Sequence, residues 1–187
     1  SLVEATQGNK ENSFKYLNDT PNYYDNIKMI QNSFLHCAFD DSDTENSFQE
    51  MFENDESAFS RYSFFLANYY LHKNKYDLAK ITIKESRKKN PGNILIKQSE
   101  KFILKEQNYK IKKIFNCNNT KDIMGEFFYI MANLYSTDQN YQQSNFYYKV
   151  SLLLNSKFKP NKMLFAENLY NQKKYEQSKK AYMLVKS

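Results

Sequence analysis

The stretch QKKYEQSKKAY (Gln172–Tyr182) repeats the frame of DQNYQQSNFYY (Asp138–Tyr148), and KNKYDLAKITI (Lys73–Ile83) carries it further upstream. In each copy a tyrosine (Tyr76, Tyr141, Tyr175) follows a short polar run, and a small residue (Ala79, Ser144, Ser178) comes three positions later. Ala132 in YIMANLY and Ala166 in MLFAENLY keep the spacing of Tyr141 and Tyr175, as do Tyr148 and Tyr182. A fixed period of this size is the signature of a repeat architecture, in which each unit buries its apolar face only against its neighbours. The interval from Ala67 to Ala132 falls just short of two such periods, so one degenerate unit is expected between them.

Working outward, the 187 residues contain only three Gly and three Pro, with helix formers throughout, and an all-α chain follows. The 15 Phe and 16 Tyr, with no Trp, mean that aromatics fill much of the interior. One domain with a real core is expected from the length. No run of apolar residues is long enough to span a membrane. The start lacks an initiating Met and a signal-peptide core, which reads as a fragment with any signal upstream of Ser1; cytoplasm and periplasm both stay open.

The net charge of +6 hides an asymmetry. Residues 1 to 60 carry 12 acidic and 3 basic side chains, whereas residues 61 to 187 carry 9 and 24. That polarity favours an acidic partner, or simply two solvated faces of opposite sign. Cys37 and Cys117 have no metal-ligand spacing and His36 and His72 are isolated, so neither a zinc site nor a Cys37–Cys117 disulfide is the favoured reading. No phosphate-cradling glycine loop and no nucleophile–base spacing point to catalysis or to a cofactor. The lysines around RKK (87 to 89) lack the arginine-rich stripe expected of a nucleic-acid interface.

The pattern resembles the tetratricopeptide repeat (TPR), a helix-turn-helix unit with small residues where its two helices cross. Clear copies fall near 60–91, 125–156 and 158–187, with degenerate hairpins at 1–54 and 93–116 in a single domain over 1–187. Ser63, Ile83, Lys162 and Leu169 depart from the signature. The layout from FLHCAFDD to the end is similar to the C-terminal part of alphaproteobacterial TPR-containing proteins, some of them exported. This resemblance implies a right-handed α-solenoid of antiparallel hairpins. Ala67, Ala132 and Ala166 would meet Ala79, Ser144 and Ser178 at close crossings, and the recurrent tyrosine would cover the seam within each repeat. Helices are further expected at 12–19, at 22–39 with Tyr24 on its apolar face, from about Thr44 to Glu53, at 93–105 and at 109–115.

By the same resemblance, the concave face is lined by Arg61, Phe64, Asn68 and His72, then Glu126, Tyr129, Asn133 and Thr137, then Met163, Glu167 and Tyr170. A non-catalytic scaffold binding a peptide or protein segment along that face is the expected function. A structural spacer in a larger exported protein is the rival, and a basic nucleic-acid-binding repeat a more distant one. No small-molecule substrate is expected. Phe64, Glu126 and Glu167 interrupt the carboxylate clamp of chaperone-binding members. The truncated first repeat is expected to expose Leu2 and Phe14 and so to favour self-association.

Overall fold

The computed structural model describes residues 1–21, 25–53, 60–159 and 161–186. Tyr24, expected on the third helix, and Ser187 at the end of the last repeat lie outside the described residues. Within them the chain is all-α, with twelve helices and no strand. These are α1 (Leu2–Thr6), α2 (Lys10–Asn18), α3 (Asp25–Phe39), α4 (Thr44–Glu53), α5 (Tyr62–His72), α6 (Tyr76–Lys89), α7 (Ile94–Leu104), α8 (Asn108–Ile114), α9 (Thr120–Thr137), α10 (Tyr141–Leu154), α11 (Asn161–Asn171) and α12 (Tyr175–Lys186). The short helix expected at 109–115 is α8, and the recurrent tyrosine is the first residue of α6, α10 and α12.

One turn closes every odd-numbered helix. Gly8, Asp40, Asn74, Glu106, Gln139 and Lys173 all have φ between 52° and 77°, the left-handed region, and follow one another at nearly equal intervals along the chain. After each, the next backbone N–H donates five positions back, as in Lys75 to Tyr70 (2.8 Å), Gln107 to Phe102 (2.8 Å), Asn140 to Tyr135 (2.8 Å) and Lys174 to Leu169 (2.9 Å). This pattern satisfies carbonyls that the helix end would otherwise leave orphaned. Only the first of the six uses glycine, so the backbone bonds and not the residue type impose the turn.

By its contacts the chain divides into two compact units, Ser1–Thr120 and Lys121–Ser187. In the first unit Phe34 is the hub of an aromatic core, with the rings of Phe48, Tyr62, Phe65 and Phe115 centred 5.0 to 6.1 Å away. α5 is the innermost helix, with nine of its eleven residues buried, and a helix apolar all round is a core helix. Ser63, which departs from the repeat signature, donates to Ser86 across the α5–α6 crossing at 2.7 Å, which keeps both buried hydroxyls paired.

Cys37 and Cys117 form a disulfide, contrary to the sequence reading. Their wide separation along the chain concealed that α3 and the segment after α8 meet, with Cα atoms 5.5 Å apart. The expected exposure at the N-terminus is also corrected. Leu2 is buried, and Phe14 packs against His36 and Phe39, because α1 and α2 lie against α3.

In the second unit the small residues meet as expected, and hydrogen bonds show why serine recurs. Ser144 donates to the carbonyl of Ala132 (2.7 Å) and Ser178 to that of Ala166 (2.8 Å), both across a helix crossing. Ala132 and Ala166 are fully buried. Ala132→Leu is therefore expected to destabilise the second unit by roughly 1–3 kcal/mol through overpacking, and an unchanged thermal midpoint would reject the crossing. The tyrosines are less covered than expected. Tyr76 and Tyr175 stay about half exposed; Tyr76 donates to the Asn74 side chain, and Tyr175 meets Tyr170 edge-on at 5.4 Å.

Candidate functional site

The burial of α5 decides how much of the expected binding face exists in the first unit. Phe64 and Asn68 are fully buried. The Asn68 amide donates to the Ile111 carbonyl of α8 at 3.0 Å, and its Oδ1 is buried without a hydrogen-bond partner. One step further along the same helix face, His72 Nε2–H donates to the Phe115 carbonyl at 3.2 Å. α8 and the residues after it thus occupy the face of α5 that was expected to take a peptide, and Phe64 and Asn68 are not open to one. Arg61 is half-buried, with its guanidinium 5.8 Å from the centre of the Phe65 ring.

Where α5 ends, a cleft of about 430 Å³ opens beside the disulfide, bounded by Asp40, Tyr69, His72, Lys73 and Asn116. Its floor reaches Asn68. Lys73 pairs with Asp40 at the rim. Burial raises the Tyr69 hydroxyl above its ordinary range, and the Asp40 charge adds to this. Burial lowers the His72 imidazole below its ordinary value, partly offset by the bond to Phe115, while the Lys112 charge acts with burial. A folded-state histidine with a lowered pKa favours the folded state above its unfolded pKa, and that preference is lost as pH falls through the folded value. The urea midpoint is accordingly expected to drop between pH 7.5 and 5.5, and to drop less in His72→Gln. Equal losses in both chains would remove His72 as the cause.

On the same side of the first unit, His36, Asp41 and Asp43 bring their ligand atoms within 4.8 Å of one another. Asp41 already accepts from His36 Nδ1 (2.8 Å) and pairs with Lys10 (2.9 Å), and its carboxylate receives the Asp43 N–H ahead of α4. Burial opposes ionisation of this carboxylate, but the bonds from Lys10 and His36 outweigh it and hold the pKa below the usual value.

In the second unit the expected residues fall in two groups. Tyr129 packs against the core of Ala132, Tyr148 and Leu164, and Asn133 turns its amide back to the Tyr129 carbonyl at 3.0 Å. Thr137 is exposed and bonds the Asn133 carbonyl, whereas Glu126 is buried, not surface-lining. Met163, Glu167 and Tyr170 follow at i, i+4 and i+7 along α11, half-buried, exposed and exposed. Partial desolvation raises the Glu167 carboxyl above its ordinary value. Together with the half-buried Asn133 and the exposed Thr137, this is the part of the expected face that is accessible in the second unit.

The sequence reading missed Asn168, one residue after Glu167. It is fully buried and ties three helices together, donating to Ser144 Oγ (2.7 Å) and Asn145 Oδ1 (3.0 Å) and accepting from Ser136 Oγ (2.6 Å). Its only signal was its place next to the small residues at the crossing. Comparison of the chain with family models, curated proteins and solved structures finds no match.

Proposed function

We propose that the chain is a non-catalytic protein-interaction scaffold of the TPR kind, whose helix pairs stack as a right-handed solenoid. A peptide or protein segment binds along the accessible α9 and α11 positions of the second unit, Asn133, Met163, Glu167 and Tyr170. The observation that carries this reading is the turn that recurs six times at nearly equal intervals. A constant frame with different side chains at equivalent outward positions, such as Asn133 and Glu167, is what a binding array requires.

The test is site-specific photocross-linking in the source cell, with the photoreactive residue placed at Glu167 or Tyr170 and, as a control, at Leu153, which is 85% exposed on α10. Adducts of discrete mass at the first two positions and none at Leu153 are expected. Absence of any adduct at Glu167 and Tyr170 overturns the reading in favour of a structural spacer.

A further inference from the structure

The cleft at the end of α5 closes on a buried polar atom that the protein does not satisfy. Asn68 lies at its floor and is fully buried. The amide nitrogen of Asn68 is committed to the Ile111 carbonyl at 3.0 Å, so the polar atom this side chain has left to offer is Oδ1, and Oδ1 has no hydrogen-bond partner. A buried carbonyl oxygen without a donor is unfavourable, and a donor entering the cleft would remove that penalty. The opening of about 430 Å³ falls within the range of small-molecule sites, roughly 300–1,000 Å³.

The walls come from three parts of the first unit and are tied together covalently. Asp40 follows α3; Tyr69, His72 and Lys73 belong to the end of α5 and its C-cap; Asn116, Cys117 and Asn118 form the far wall. The Cys37–Cys117 bond fastens that wall to α3 just before Asp40. Asn116 Oδ1 accepts the Asn118 N–H at 3.0 Å, which fixes the bend between them. Asp40 and Asn118 are exposed whereas Asn68 is buried, so polar groups stand at both the mouth and the floor. Walls set before a ligand arrives lose little ordering entropy on binding.

The charges that line the cleft cancel. Lys73 pairs with Asp40, and its ammonium lies 5.7 Å from the centre of the Tyr69 ring. Burial favours the neutral His72 imidazole and the protonated Tyr69 hydroxyl, and the Lys112 charge acting from α8 further opposes a cation at His72. An ionic ligand would give up its hydration with no unpaired counter-charge to replace it. The lining instead mixes acceptors, Asn68 Oδ1 and the Asp40 carboxylate, with a donor, the Lys73 ammonium, and with groups that do both, the Tyr69 hydroxyl and the Asn118 amide. The bond from Lys73 leaves the Asp40 carboxylate able to accept more. Hydroxyl groups, which donate and accept at once, complement such a mixture.

We propose that this cleft binds a small, uncharged polyhydroxyl molecule of the size of a monosaccharide or cyclic polyol. One hydroxyl donates to Asn68 Oδ1 at the floor and a second to the Asp40 carboxylate, while their oxygens accept from Lys73 and the Asn118 amide. Such a site goes beyond the protein-binding role of the second unit, and beyond the sequence-based expectation, which included no small molecule.

The test is saturation-transfer NMR on the full oxidised chain. Glucose, mannose, galactose and myo-inositol are the neutral probes, glucosamine and glucuronate the cationic and anionic counterparts, and acetamide a donor without hydroxyls. A neutral probe is expected to receive saturation, to bind at least as tightly as its charged counterparts, and to be insensitive to salt between about 0.05 and 0.5 M. Asp40→Asn, which keeps a residue tolerant of the left-handed turn, should weaken it about tenfold, and Asn118→Ala about threefold, through loss of a charge-assisted and of an ordinary hydrogen bond. Asn68→Ala should abolish binding. Because that change also frees the Ile111 carbonyl, a thermal melt checks the fold, and the two rim variants carry the test if it fails. Lys179→Glu/Lys180→Glu, on α12, should leave binding as it is.

Failure of every neutral probe means that the floor oxygen holds an ordered water only, and overturns the proposal. Binding undiminished in both rim variants places the probe elsewhere and overturns it equally. Tighter binding of glucosamine or glucuronate, or a steep loss with salt, reassigns the cleft to an ion, and binding of acetamide alone reassigns it to an amide. Cross-linking at Glu167 and Tyr170 should be unaffected by Asp40→Asn, so this cleft and the protein-binding face stand or fall separately.

Discussion

Replacing Cys37 and Cys117 by serine, or reducing their bond, is expected to lower the unfolding free energy of the first unit by about 4–5 kcal/mol, because closing so long a loop removes about this much chain entropy from the unfolded state. The two cysteines are separated by 80 in sequence. A domain has only about 5–15 kcal/mol in total, so the loss would bring the first unit close to its midpoint at physiological temperature. The effect is sharpened by position. Cys117 lies just beyond Phe115, whose ring is 4.7 Å from Phe65 and 5.6 Å from Phe34, so the bond also holds a core ring in place. Both sulfurs are in the first unit, which makes the second an internal control. Urea unfolding with and without a reductant should show one transition moving and the other fixed, and the oxidised native chain should show no free thiol. Coincident curves would overturn this expectation. Such a bond persists in an oxidising compartment and is lost in a reducing one, so the same experiment states where the folded chain is at full strength.

Asn168→Ala should destabilise the second unit by about 2–4 kcal/mol, since buried polar groups left without partners are costly. The substitution removes three hydrogen bonds at once and leaves the Ser144 and Ser136 hydroxyls beside a new cavity. Ser144 also donates to the Ala132 carbonyl, so the network and the close crossing of α9 and α10 are coupled. A double-mutant cycle with Ser144→Ala should show the two changes to be less than additive, because each breaks the same bond. Strict additivity, or a loss under about 0.5 kcal/mol for Asn168→Ala, would mean that the network carries no weight.

The second unit was the more legible in sequence. Ala132, Ser144, Ala166 and Ser178 are small because of a close crossing, and a steric demand of that kind leaves a periodic trace. The turns left almost none. Asp40, Glu106, Gln139 and Lys173 share a conformation but no chemistry, since the backbone bonds that close each turn are indifferent to the side chain. The candidate face of the first unit was misread for a different reason. Whether the side of α5 that carries Phe64 and Asn68 meets solvent depends on α8, far downstream in the chain, and on a disulfide that no local pattern announces.

The same disulfide gives the chain a mechanical character. A pull applied at residues 1 and 187 can peel away what lies outside Cys37–Cys117, but the intervening length stays locked in a closed ring. At roughly 3.3–3.6 Å per extended residue, on the order of 270 Å of contour is withheld from the applied force. α5, α6 and α7 all lie inside that ring. The buried helix α5 therefore sits in the part of the molecule that tension can loosen but cannot unravel.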